Sequence, residues 1–291
     1  MKLSTLLHSL LAKLCCARFI ALTALLLLGA GQVQATYIDK TISSGKVRIH
    51  YDSSSPTACD AVLLGVGTAM SPDGYDKLSD RLISYGYVVV ILDHAPGNPF
   101  KTDATLYASL AQDVKTNLIS WIPDSNCESI SHWVLGGHSA GGQAAQEAIS
   151  NDSTLADAVF SIDPFDSTTV GNVNVPAMYW GFDVTTCFVD KDKAAKAAYY
   201  RSNNLRAFYK VAKKYSWGPC GYSPKYFHCS FCDGHCPACT NCKRTPDHFF
   251  DDVGASVNKF ITVVFYGSWS KSALTINATT PLTLYTDGDQ P

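Results

Sequence analysis

Apolar positions along the chain form short continuous runs, separated by longer stretches in which they recur every three or four residues. Val47-Arg48-Ile49-His50-Tyr51 alternates and predicts an early edge strand. Ala61 to Leu64 is uniformly apolar, as in a strand covered on both faces, and runs into a glycine-containing loop, Gly65 to Met70. Ser71-Pro72-Asp73 supplies helix-start chemistry, and Tyr75, Leu78, Leu82 and Ile83 continue at helical spacing as far as Gly86. Tyr87 to Leu92 predicts the next strand, followed by a loop from Asp93 to Pro99. Leu106, Leu110, Val114 and Leu118 form the stripe of a long helix that Pro123 stops. Further strands are predicted at Trp133 to Leu135, Ala158 to Ile162 and Val175 to Trp180. Residues 191–215 predict a helix rich in Ala, Lys and Tyr. Val253, Val257, Phe260, Ile261 and Val264 mark a last amphipathic helix, and a Thr/Ser-rich tail, 267–291, shows only strand-like fragments.

Strands that alternate with helices, without an internal repeat, predict an α/β fold: a mostly parallel central sheet flanked by helices. The first 35 residues read as a signal peptide. Lys2, Lys13 and Arg18 precede an apolar block from Phe19 to Leu28, and Val33-Gln34-Ala35 is an A-x-A-like cleavage site. The expected product is a secreted or periplasmic monomer, residues 36–291, folded as one domain without a stable membrane span. The leader holds three basic residues and no acidic one, so the mature chain is more acidic than the net charge of -2 for the whole. Such a balance argues against a nucleic-acid partner.

The chemistry centres on His132 to Gly142, HWVLGGHSAGG, an apolar strand leading into Gly137-His138-Ser139-Ala140-Gly141. This fits G-x-S-x-G, the nucleophile elbow, in which a serine occupies a sharp turn between strand and helix. Small residues two positions either side let the strand and helix approach, and Gly137 and Gly141 provide that room. Three histidines follow Ser139. His228 and His235 lie among cysteines, whereas His248 precedes the last helix, where a loop can reach back over the sheet, so His248 is the expected general base. Candidates for the orienting acid are Asp163, Asp166 and Asp183; Asp163 stands at a strand end, held extended by Pro164, and Asp183 is the alternative acid. The oxyanion hole is expected from the N–H groups of Ala140 and Thr68, the latter beside Gly67 in the loop after the earlier strand.

GHSAGG, the block Leu78 to His94, Ile162-Asp163-Pro164 and the late Asp247-His248-Phe249-Phe250-Asp251-Asp252 together resemble the chlorophyllase-like group of α/β-hydrolases. The first two blocks are also similar to bacterial cutinases and polyester hydrolases. The resemblance spans most of residues 58–265 and implies an α/β-hydrolase fold and a secreted serine esterase. In the chlorophyllase-like pattern the acid follows the strand after the elbow, at Asp163. In the cutinase pattern it follows the next strand, where only Asp183 is near. The implied reaction is cleavage of a carboxylic ester, small or lipid-like, through an acyl-enzyme, with no metal and no organic cofactor. Alternatives are a lipase or cutinase-type polyester hydrolase, or a noncatalytic binding protein that kept the fold.

Nine cysteines follow the leader, from Cys59 to Cys242, and six of them fall in an aperiodic segment, 218–244, placed before His248. In an exported chain they predict disulfides. Cys229, Cys232, Cys236, Cys239 and Cys242 are spaced too tightly for a zinc ribbon, whose two C-x-x-C halves lie about 15–20 residues apart. The insertion is expected to act as a wall or lid beside the site. Asn151-Asp152-Ser153 and Asn277-Ala278-Thr279 match the glycosylation acceptor pattern.

Overall fold

The computed structural model describes residues 35–54, 56–93, 103–167, 170–185, 189–218, 221–231 and 245–291. The leader, the loop at 94–102 and most of the cysteine-rich segment lie outside the described residues. Eleven strands are present among the described residues: β1 (Ala35–Ile42), β2 (Gly45–Asp52), β3 (Ala58–Gly65), β4 (Val88–Asp93), β5 (Ser129–His138), β6 (Ala158–Ile162), β7 (Ala177–Phe182), β8 (Arg206–Val211), β9 (Tyr215–Gly218), β10 (Gly221–Pro224) and β11 (Leu282–Thr286). The helices are α1 (Asp76–Ile83), α2 (Ala104–Trp121), α3 (Ala140–Asn151), α4 (Lys193–Arg201), α5 (Asp247–Tyr266) and the short α6 (Lys271–Leu274), with 3-10 turns at Pro72–Tyr75 and His228–Phe231.

Nine strands form one sheet in the order β1-β2-β4-β3-β5-β6-β7-β8-β11, and β9 and β10 form a separate hairpin. The run from β4 to β8 is parallel, and β1, β2 and β11 are antiparallel to their neighbours. The two-residue period of a strand divides the core between the two faces. Val62 and Leu64 meet Leu78 and Leu82 of α1 and Val253, Val257 and Phe260 of α5 on one side. On the other side, Ala61 and Leu63 meet Leu110 and Val114 of α2, Ala144 and Ala148 of α3 and Ala195 of α4. The α/β architecture with a mostly parallel, helix-flanked sheet is thus the one the apolar pattern predicts. No helix among the described residues is long and apolar enough to cross a membrane.

Three expectations change. The alternating strand at Val47 is not the edge: β2 is sandwiched between β1 and β4. Residues 191–215 are not one helix. After α4, Ser202-Asn203-Asn204 breaks it, and Arg206 to Val211 becomes β8, registered against β7 from Ala177↔Arg206 to Phe182↔Val211. An apolar partner strand outweighs local helix propensity there. The tail has a place: β11 pairs with β8, Leu284 opposite Tyr209, and forms the far edge of the sheet.

Cys59 at the start of β3 and Cys127 just before β5 form a disulfide. The helix α5 is fastened at both ends. At its start Asp247 pairs with Lys77 at 2.8 Å and Asp251 with Arg81 at 2.5 Å, both on α1. At its end the Tyr266 hydroxyl donates to Asp60 at 2.9 Å, and Phe265 stacks on His132, itself 2.9 Å from Asp60.

Beneath the carboxyl ends of β6 and β7 the indole N–H of buried Trp180 donates to Ser256 Oγ of α5 at 2.9 Å. A buried donor left without its acceptor costs about 1–3 kcal/mol. Ser256→Ala is therefore expected to lower the unfolding free energy by that amount in a denaturant titration, with an unchanged dependence on denaturant concentration.

Candidate active site

The site is assembled where β5 meets α3. Ser139 follows the last residue of β5 with φ 55° and ψ -121°, a left-handed conformation that a side-chain-bearing residue adopts only under constraint. Neighbouring strands supply the constraint. The Ser139 N–H donates to the Ile162 carbonyl at the end of β6 (3.0 Å), and its carbonyl accepts from Gln143 (3.1 Å) and Phe165 (3.2 Å). A side chain on Gly141 would overlap the Gly65 carbonyl at the end of β3, and one on Gly137 would overlap the carbonyl of Gly141. The small residues of the motif are therefore what allow α3 to start directly against the sheet.

The next loop is held by polar side chains of α3. Gln143 Oε1 accepts the Asp166 N–H at 3.1 Å, and Gln146 Nε2 donates to Ser161 Oγ, which in turn donates to the Gly142 carbonyl at 2.8 Å. These bonds fix Asp163 at the end of β6, adjacent to Ser139 in the sheet. Asp163 precedes Pro164, yet its φ is 45°, not the extended value a following proline favours. Its N–H is taken by the Trp180 carbonyl (2.9 Å) and Phe165 folds back onto Ser139, so the chain turns there instead of running on.

The Asp163 carboxylate meets His228, not His248: Oδ2 accepts from His228 Nδ1 at 2.7 Å. The Asp163 and His228 residues are 2% and 4% exposed. Burial raises the Asp163 carboxyl well above its usual range; the Phe182 backbone N–H opposes that shift, and the charge of Asp192 adds to it. Burial also lowers the His228 imidazole, to about 3. His228 opens the 3-10 turn His228–Phe231, anchored by Phe231, which lies 4.9 Å from Phe249, 5.4 Å from Phe182 and 5.3 Å from His138 between ring centroids. The His228 ring itself is 4.6 Å from that of His138, the residue before Ser139.

The other predicted residues are placed as follows. His248, in the first turn of α5, bonds through Nε2 to the Tyr226 hydroxyl at 2.7 Å, and the ion pairs of Asp247 and Asp251 to α1 hold that helix end in place. Asp183 is partly exposed and 4.0 Å from Lys210, whose closer partner is Asp192 at 2.9 Å. Asp166 engages the site through its backbone. Ala140 opens α3 beside Ser139, and Thr68, half-buried, lies in the loop after β3 that turns at Ala69 (φ 57°). The neighbouring Gly67 N–H is taken by the Tyr75 hydroxyl at 2.7 Å. His228 had a signal in the sequence: in Tyr226-Phe227-His228-Cys229-Ser230-Phe231 four of the six residues are apolar, the mark of a buried turn, which the surrounding cysteines obscure.

A scan against protein-family models finds no match for this chain, and a search of curated protein sequences finds none either.

The elbow contact has a testable sign. Gly→Ala inside a helix ordinarily stabilises by about 1 kcal/mol. Gly141→Ala instead drives a methyl into the Gly65 backbone, so a loss of about 1–3 kcal/mol is expected in chemical unfolding; a gain in stability would show that α3 does not need this contact.

Proposed function

We propose that the chain is a serine hydrolase that cleaves carboxylic esters, with Ser139 as nucleophile, His228 as general base and Asp163 as the group that orients the imidazole. The observation that carries this reading is the 2.7 Å bond from His228 to a buried Asp163 alongside a serine with φ 55° at the head of α3. The strand-turn-helix context is the one the G-x-S-x-G motif requires, and the acid falls on the strand next to the elbow, as the chlorophyllase-like resemblance implies. That resemblance supplies the finer reading: an α/β-hydrolase whose ester has a hydrophobic alcohol or acyl part.

With Nδ1 held by Asp163, the Ser139 proton passes to His228 Nε2 as the alkoxide attacks the ester carbonyl. The carbonyl oxygen becomes an oxyanion against the N–H groups of Ala140 and Thr68, and the alcohol leaves with the proton from the imidazolium. Water, deprotonated by the same imidazole, then attacks the acyl-serine and releases the acid. Asp163 remains a carboxylate and stabilises the imidazolium in both steps. No metal and no organic cofactor enters this sequence.

The base is tested with p-nitrophenyl esters of graded chain length. Ser139→Ala is expected to lower kcat by about 10⁶-fold and to abolish labelling by a fluorophosphonate probe. His228→Ala is expected to fall by a similar factor, whereas His248→Ala keeps activity within about tenfold. The reverse order of the two histidine variants would move the base to His248. A folded wild type with neither turnover nor labelling would favour a noncatalytic binding protein.

The pH profile tests the acid. The acid limb of kcat/KM reports proton uptake by the Asp163–His228 pair as a unit. In Asp163→Asn the carboxylate that favours the imidazolium is gone, and burial, which lowers the imidazole, is left. The variant is expected to lose about 10⁴-fold in kcat and to show its residual acid limb at lower pH than wild type. A limb that stays in place would remove Asp163 from the pair.

A further inference from the structure

Between the loop after β3 and the turn that carries His228 runs a chain of buried hydrogen bonds whose direction can be fixed atom by atom. The His228 carbonyl can only accept, so His138 Nε2, 2.9 Å away, carries a proton and donates to it. Burial and the neighbouring His228 keep the His138 ring neutral, so its Nδ1 is an acceptor. The Tyr75 hydroxyl, 3.0 Å from that Nδ1, therefore donates to it, while the Tyr75 oxygen accepts the Gly67 N–H at 2.7 Å. The sequence is Gly67 N–H to Tyr75, Tyr75 O–H to His138, and His138 N–H to the His228 carbonyl. Tyr75 and His138 are both buried. The chain passes directly behind the nucleophile: a Cβ on Gly67 would lie 3.1 Å from the Tyr75 oxygen, 3.1 Å from His138 Nδ1 and 3.2 Å from Ser139 Cβ.

We infer that Tyr75 and His138 are positioning residues that hold the loop of Thr68 and the turn of His228 in register on two sides of Ser139. This rests on the serine-hydrolase reading above and deepens it. The group that receives the serine proton and the N–H that receives the oxyanion come from distant parts of the chain, and the tyrosine–histidine pair is a direct polar tie between them. A shift of about 1 Å in either costs on the order of 10²-fold in rate. Because the hydrogen bonds run in series from Gly67 to His228, a break at Tyr75 and a break at His138 undo the same tie.

The test uses the folded protein and p-nitrophenyl acetate, with Tyr75→Phe, His138→Leu, His138→Gln and the double variant Tyr75→Phe/His138→Leu. Tyr75→Phe keeps the ring and removes only the hydroxyl, so it decides the matter even if His138→Leu does not fold. Tyr75→Phe and His138→Leu are each expected to lower kcat by about 10- to 100-fold with KM within about threefold. The double variant should be no slower than the slower single, since a tie broken once carries nothing further. Glutamine, whose side-chain amide offers both N–H donors and a carbonyl acceptor, should recover most of kcat at position 138. A kcat within twofold of wild type in folded Tyr75→Phe, losses that multiply in the double variant, or a glutamine no better than leucine would each overturn the inference. In those cases wild-type turnover and Ser139 labelling persist, whereas a wild type lacking both would overturn the hydrolase reading and this inference with it.

Discussion

The contact between the start of α3 and the end of β3 is the constraint on which the rest of the centre depends. Gly141 lies against the Gly65 carbonyl with no room for a side chain, so helix and strand meet at backbone distance. That proximity bends the chain at Ser139 into φ 55° and puts the N-terminal end of the helix beside it. Of the four non-glycine residues with positive φ among the described residues, three, Ala69, Ser139 and Asp163, lie just beyond the carboxyl ends of β3, β5 and β6. Each is a place where the backbone turns sharply out of the sheet and toward a common point. Such strain persists only where the surroundings over-determine it, and here Ser139 is held by donating to Ile162 and accepting from Gln143 and Phe165.

Around that point the protein buries polar groups in a region otherwise filled with aromatic rings. Gln143, Gln146 and Ser161 on one side, and Tyr75 and His138 on the other, are buried and hydrogen-bonded, which makes them rigid instead of costly. Phe231 and Phe249 supply the packing that holds the His228 turn down, and α5 carries Phe249 while clamped by ion pairs at one end and by Tyr266 at the other. A long helix that supplies none of the groups around Ser139 thereby helps to set where the His228 imidazole stands.

Much of the architecture was legible because it is local. Continuous apolar runs named β3, β4, β5 and β6, helical stripes named α1, α2 and α5, and G-x-S-x-G named the elbow, since its glycines answer to contacts within a few residues of Ser139 and the end of β3. What could not be read depends on partners far away in sequence. Arg206 to Val211 becomes a strand because β7 lies beside it, not because its composition asks for one. Which of His228 and His248 meets Asp163 depends on which loop reaches it, and the spacing along the chain says nothing about that. His248 precedes a strong helix and attracts attention, while His228 sits in a short turn whose only mark is its apolar neighbours. Asp163 was legible as a strand-end acid, but its turned backbone was not, because Pro164 argues locally for the opposite.

The pairing of β11 with β8 bears on the order in which the molecule can assemble. The strand β8 joins the parallel sheet through β7, and on its other side it pairs with Leu282 to Thr286, which follow it far along the chain. Until those residues arrive, β8 presents a row of unpaired N–H and C=O groups carried on an apolar strand, a surface onto which another chain can add. A chain emerging amino end first therefore leaves that side of β8 uncovered until Leu282 to Thr286 have followed it. Once seated, β11 becomes the edge itself, and a short, half-buried strand takes the outer position in place of the more deeply buried β8.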